Sequence, residues 1–269
     1  MAARSSLWEK QSGGVERIAV DLITSKDNSK VKRARSLLRR RERYRAREFL
    51  VEGIRLVEEA VKKKAPLVEA FISPQLETDF RGQKLARSLE ELRVPVHRVT
   101  DQVLRSISET ETPQGVVAVS SFVELPLEPS PLPLYLVLDA VRDPGNVGTM
   151  LRTAEAAGAD CAFFTKGTAD VWAPKVVRAA MGAHFALPIR YLSSFDDLPS
   201  VDELLVSEPR GGRPYYEVDW RKSVAVVIGG GGVRSWPGGE EASDRNDFDS
   251  DGKGSRIIER GGGRGHHTF

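Results

Sequence analysis

The sequence predicts an α/β protein built in two rounds. Short apolar runs alternate with amphipathic helical stretches between residues 22 and 125, and the same alternation resumes at Leu134. Between the rounds lies a segment with four prolines, Pro126, Pro129, Pro131 and Pro133, which reads as a stiff linker and domain boundary over 126–133.

The first round covers 22–125. Ile23-Thr24-Ser25 precedes a helix whose apolar positions Val31, Leu37 and Leu38 lie among basic residues. Phe49-Leu50-Val51 is a short buried strand, and Glu52-Gly53 leads into a helix over 54–63 with Leu56, Val57 and Ala60 on one side. A strand over 68–72 is stopped by Ser73-Pro74. A helix over 82–92, a short strand at Val94-Pro95-Val96, a helix over 101–106 capped by Thr100, and a strand over 115–119 complete a small α/β sandwich.

The second round has a strand over 134–138, a helix over 147–157, a strand over 161–164 and a helix over 174–184 with proline in its first turn. Residues 185–189 read as extended, 202–206 as a strand, and 224–228 as the clearest strand of all, ending in the four glycines Gly229 to Gly232. No Gly-Lys-Ser/Thr follows those glycines, which argues against a phosphate loop for nucleoside triphosphates. Beyond them, 231–269 lacks apolar periodicity and is rich in Gly, Asp, Arg and Ser, the composition of a disordered tail.

Bulk composition narrows the setting. Hydrophobic content of 40% and charged content of 29% are ordinary for a globular protein. The single Cys161 excludes a disulfide framework and a cysteine-rich zinc site, so a cytoplasmic location is expected. No apolar run approaches the ~20 residues that span a bilayer. Residues 1–21 are charged, lack a signal-peptide core and are expected to form a flexible extension. The four histidines have no metal-ligand spacing, so no metal is expected, and His184 beside Phe185 reads as a partly buried structural histidine.

A net charge of +2 conceals a strong local excess. Residues 30–47 hold ten Lys/Arg against the single acid Glu42, too many for pairing within the helix to absorb. Such a block is the footprint of a polyanionic partner, because each cation that neutralises a phosphate releases a counterion. The candidates for contact are Lys32, Arg33, Arg35, Arg39, Arg40 and Arg43. Composition alone does not choose among RNA, DNA and acidic lipid.

Chemistry is expected at 139–152. The strand over 134–138 ends in a tight Asp143-Pro144-Gly145 turn, and Asn146 opens a helix that carries Arg152. An amide and a guanidinium are thereby set six residues apart at the C-terminal edge of a parallel sheet, where α/β proteins place their sites. Asn146 reads both as a helix N-cap and as a polar contact. Arg178 reads as an RNA contact or as an exposed helix arginine.

With these residues in view, the chain resembles the SpoU/TrmH family of RNA ribose methyltransferases, which belong to the SPOUT class. Asp143-Pro144-Gly145-Asn146-Val147-Gly148 through Arg152-Thr153-Ala154 resembles the family's first motif, Lys175 to Ala183 the second, and Val227-Ile228-Gly229-Gly230 the start of the third. Asn28, Phe49 to Gly53 and Glu111 to Gly115 resemble its L30e-like substrate-binding domain. The resemblance implies an L30e-like sandwich followed by a SPOUT-type α/β domain with a trefoil knot, and a homodimer. It implies S-adenosylmethionine as cofactor, held by Ile228, Gly229 and Gly230. It further implies methyl transfer to a ribose 2′-hydroxyl of ribosomal RNA, with transfer RNA as the other candidate substrate, Arg152 acting on the hydroxyl and Asn146 orienting the RNA. A guanidinium is too weak a base to remove the proton unaided, so RNA phosphate is expected to help. The alternative is a noncatalytic RNA-binding protein that uses the L30e-like domain.

The third motif then departs from the family. A Glu is expected where Gly231 stands, followed by an Ile-Pro-Met segment and a Ser-Leu-Asn-Val run that opens the last helix. Read one base later, codons compatible with 247–269 can spell TSIPMARGVESLNVAVAAAIIL, the missing segment, with each middle base taken from a wobble position. One extra G in the glycine codons accounts for the change. Residues from about 231 onward are therefore expected to be out-of-frame translation, leaving the methyltransferase domain truncated to 134–230. The strand over 224–228 is then expected to be partly exposed, the dimer weakened, and cofactor binding by the chain as written poor.

Overall fold

The structure, a computed structural model, describes residues 22–208, 213–229 and 256–260. The extension expected at 1–21, Gly230, and all of the expected out-of-frame tail except 256–260 lie outside these residues, so the expected trefoil knot does too.

In the first round, α1 (Ser29–Ser36) and α2 (Arg40–Ala46) lead into β1 (Glu48–Glu52), α3 (Ile54–Lys62), β2 (Leu67–Ile72), α4 (Phe80–Glu91), β3 (Val96–Arg98), α5 (Asp101–Ser106) and β4 (Val116–Ser121). The strands form a mixed sheet in the order β1-β4-β2-β3, parallel only between β2 and β3. Side chains alternate across it, as the pleat requires. Leu50, Phe71, Val117 and Val119 pack on Val31, Ala34 and Leu37 at one face, with Val103, Leu104 and Ile107. Phe49, Val51, Ala70, Ile72, Val116 and Ala118 meet Leu56, Val57, Leu85 and Leu89 at the other. Helices on both faces make the expected sandwich. As read from sequence, Thr100 caps α5, accepting from the Val103 backbone N–H at 3.3 Å.

The basic helix is broken where a continuous one was expected. Arg43 Nη1 donates to the carbonyls of Leu37 and Leu38, each at 2.8 Å, and those are the groups that the next helical turn would otherwise take up.

The second round runs β5 (Leu134–Asp139), α6 (Pro144–Ala156), β6 (Cys161–Phe164), α7 (Pro174–Ala180), β7 (Ile189–Tyr191), β8 (Glu203–Glu208), β9 (Arg213–Pro214), β10 (Val224–Gly229) and β11 (Arg256–Arg260). Five parallel strands lie in the order β7-β6-β5-β10-β8, and β11 adds antiparallel to β8 with β9 beyond it. Within the tail expected to lack regular structure, the backbone of 256–260 is thus a strand. The segment read as a helix over 174–184 and an extended run over 185–189 differs too. Met181 and Gly182 both take left-handed conformations, so α7 ends at Ala180 and Ala183–Phe185 forms a 3-10 turn.

β10 is not left open. It is hydrogen-bonded to β5 on one side and β8 on the other, and Val224, Ala225 and Val227 are buried. Val226 and Ile228, which share one face of the pleat, keep intermediate exposure, so the strand is paired at both edges but partly exposed on that face, as expected. The two rounds share one apolar seam. Phe49 lies 4.9 Å from Trp172 and 6.1 Å from Phe185 between ring centroids, and Phe122 stacks on Trp172 at 4.3 Å.

Candidate functional site

From β5 the chain builds outward through β6 and β7, while β10 and β8 lie on the opposite side of β5. The boundary between β5 and β10 is therefore the switch point of the sheet, and ligands of open α/β sheets bind beyond the strand C-termini there. Two of the expected site segments flank it. Gly229 pairs with Asp139 at the end of β10, and a Cβ built on Gly229 would meet no described residue within 4 Å. Among the described residues the lip of the sheet is open at that position.

The turn out of β5 is held firmly. Thr165 Oγ1 donates to the buried Asp139 Oδ1 at 2.5 Å and accepts from the Ala140 N–H at 3.2 Å, while Ala140 turns the chain with a left-handed φ of 52°. Asp143, not Asn146, caps α6: its Oδ1 accepts from the Asn146 backbone N–H at 2.7 Å, and Pro144 fills the first turn. The cap reading of Asn146 is corrected, because Pro144 has no N–H and starts the helix two residues earlier. The Asn146 side chain is thereby released for other contacts.

Val147, Gly148, Leu151 and Ala154 turn the inner face of α6 toward the core, and Asn146 and Arg152 are both exposed. Six residues of helix separate the two by about 9 Å along the axis and about 120° around it. They lie on the solvent side of one helix without converging on a single point. Among the described residues Arg152 has no hydrogen bond or ion pair. Gly148 sets how close α7 comes: a Cβ there would lie 2.4 Å from Ala179 Cβ and 2.6 Å from the Val176 carbonyl.

The basic candidates separate into groups. Lys32, Arg35 and Arg39 line a shallow groove of about 590 Å³ with Ser36 and Leu38. Arg40 stands over the Tyr44 ring at 5.3 Å. Arg33 is occupied by Glu48 at 2.6 Å and by Glu69. Arg43 as an RNA contact is corrected: it is 3% exposed and its Nη2 lies 2.5 Å from Asp170 Oδ2, so no phosphate reaches it. Arg178 turns back to the first domain, Nη1 to Glu52 Oε2 at 3.0 Å and Nη2 to Glu109 Oε2 at 3.3 Å.

Asp170, Glu52 and the Thr165–Asp139 pair were not singled out as site-forming from sequence. Acids far from the basic block neutralise it, and no local periodicity reports that. His184 is fully rather than partly buried. Its Nε2 lies 2.7 Å from the Val171 carbonyl, which assigns the proton to Nε2, and burial lowers its pKa to about 4. Burial also pushes the Cys161 thiol up to about 12, which makes it unreactive.

Comparison with known proteins follows the same division. Residues 28–118 match the MRM3-like substrate binding domain and residues 133–233 match the SpoU rRNA Methylase family. The chain is 35% identical over 215 residues to the Bacillus subtilis 23S rRNA (guanosine(2553)-2'-O)-methyltransferase RlmP, an alignment covering 78% of this chain and 83% of that one. It is 36% identical to the mouse mitochondrial rRNA methyltransferase 3, over 57% of this chain and 37% of that longer protein. The AdoMet-bound crystal structure of an rRNA methyltransferase from Sinorhizobium meliloti superposes with a TM-score of 0.66 at 27% identity, covering 84% and 92% of the two chains.

Proposed function

The chain belongs to the SpoU rRNA methylase family, and from that membership we propose that it transfers a methyl group from S-adenosylmethionine to a ribose 2′-hydroxyl of ribosomal RNA. The observation that carries this reading is that α6, with Asn146 and Arg152 both exposed, leaves the sheet at the switch point where β5 pairs with β10 and its terminal Gly229.

The described residues fit the cofactor, since the absence of a side chain at Gly229 leaves clear space at the strand end. Ile228 and Gly229 would hold it, with Gly230 next in the chain. When bound, S-adenosylmethionine supplies an electrophilic methyl on a sulfonium. Arg152 would orient the 2′-hydroxyl toward that methyl, with an RNA phosphate oxygen placed to accept the hydroxyl proton. Asn146, about one and two-thirds turns earlier, holds the strand rather than the reacting oxygen. Lys32, Arg35, Arg39 and Arg40 hold the body of the RNA through its phosphates. Arg178, engaged by Glu52 and Glu109, serves the junction of the two domains.

The test is transfer of labelled methyl to ribosomal RNA, followed by nuclease digestion and mass mapping. It is run with the chain as written and with a version whose frame is restored after Gly230. A 2′-O-methylated nucleotide made by either supports the reading. Label on a base, or no transfer by either, overturns it.

A further inference from the structure

A second cavity, of about 250 Å³, lies on the seam between the domains. One side of its wall, at Glu52, is already saturated. The Glu52 carboxylate, 6% exposed, takes hydroxyl donors from Ser108 and Thr110 on one oxygen and Arg178 on the other. The remaining lining is not saturated. Gly53, with φ of +99°, leaves room for Gln114, whose Oε1 accepts from the Ile54 backbone N–H at 3.1 Å. Its amide NH₂ has no acceptor among the described residues, and neither does the exposed Arg55 guanidinium. Met181 supplies a half-buried thioether surface, and Thr112 an exposed hydroxyl, at the same cavity.

The geometry points to this cavity as a binding site for one nucleotide of the substrate RNA, separate from the site at α6. The free groups are a donor amide, a hydroxyl, a cation and a polarisable apolar surface. A nucleobase offers an acceptor-bearing edge to Gln114 and Thr112 and a flat face to Met181, and its phosphate suits Arg55. The volume falls just under the range of small-ligand pockets, about 300 Å³ upward, so it admits one base and not a stacked run. The lining comes from both domains, Arg55, Thr112 and Gln114 from the first and Met181 from the second. A nucleotide bound there would fix RNA to the two domains at once. This inference rests on the RNA reading above.

The chain has three methionines, Met1, Met150 and Met181, so methyl-labelled methionine gives a local NMR probe, assigned with Met181→Leu. A short single-stranded RNA of mixed sequence is titrated into the full chain while fluorescence anisotropy follows total binding. The Met181 methyl is expected to shift, and the Arg55→Ala/Thr112→Val double variant to bind about tenfold more weakly. RNA bound with unchanged affinity by the double variant and no movement of Met181 would sink the pocket while leaving the RNA reading intact. No RNA binding at all would remove both. A Met181 shift with free nucleoside monophosphates but not with RNA would assign the cavity to a small molecule and overturn the proposal.

Discussion

Arg43 of the first domain is locked onto Asp170 of the second, Nη2 to Oδ2 at 2.5 Å, with both side chains at most a tenth exposed. Tyr44 donates to the other Asp170 oxygen at 3.0 Å, so the basic helix is fastened to the second domain at two consecutive residues. Breaking a buried pair strands the remaining charge. Arg43→Ala should lower unfolding free energy by roughly 3–5 kcal/mol in urea. The exposed neighbour Arg40→Ala should stay within about 0.5 kcal/mol. Equal effects of the two would refute the assignment of Arg43 to structure.

Arg152→Ala should reduce methyl transfer by about 10²–10⁴-fold with RNA affinity nearly unchanged, as expected for a group acting on the hydroxyl. Single-turnover rates and anisotropy, measured on the same preparation, separate the two effects. A parallel fall in affinity would make Arg152 a docking residue.

Replacing Lys32, Arg35 and Arg39 with alanine should weaken RNA binding uniformly across sequences. The slope of log affinity against log salt should flatten by about 0.7–0.9 for each phosphate that is no longer neutralised. Arg33→Ala should change that slope less, since Glu48 and Glu69 already hold its guanidinium. A salt series on each variant checks the ranking.

His184 gives the fold an acid sensitivity. Its folded pKa of about 4 lies below the ordinary 6.5, so the unfolded chain binds the extra proton first. Stability is full above pH 6.5, is lost progressively as pH falls toward 4, and levels off below. The loss should be on the order of 3 kcal/mol. Nδ1, the nitrogen that must take the proton, is buried without a partner. His184→Gln should flatten the pH dependence of urea midpoints between pH 6.5 and 4; an unaltered profile would assign the sensitivity elsewhere.

Calorimetry with S-adenosylmethionine tests the reading frame. The chain as written should bind weakly, and the frame-restored chain at least tenfold more tightly. Micromolar binding by the chain as written would contradict the expected loss of the third motif, as would a gene without an extra G in the Gly229–Gly232 codons.

Much of the fold was legible because its signals are local. The apolar runs at 161–164 and 224–228, Pro174 in the first turn of α7 and the Thr100 cap are each written within a few residues. The breaks were harder. The gap between α1 and α2 depends on Arg43 reaching back to two carbonyls, and the end of α7 on a left-handed methionine, a conformation that residue seldom signals. At the site, Asn146 and Arg152 could be read from spacing, but the true cap at Asp143 was hidden by an asparagine that caps equally well. The fate of the basic block was least legible. Asp27 and Glu42, which pair with Lys32 and Arg45, are close in sequence, but Glu48, Glu69 and Asp170 lie 15 to 127 residues from the arginines they hold and become neighbours only on folding.

The middle position of β10 also sets an order of assembly. Its two partners, β5 and β8, leave the ribosome before it; until it arrives the slot beside β5 is empty, and β8, whose other partner among the described residues is the later β11, stays unpaired. The first domain can form while this slot is still vacant, since none of its four strands pairs with the second sheet. The switch-point crevice therefore comes into being only when 224–229 docks on β5 and brings β8 into the sheet with it, a late and non-local event expected to be the slow step of folding. A nascent chain halted before Val224 would carry the basic groove without the crevice.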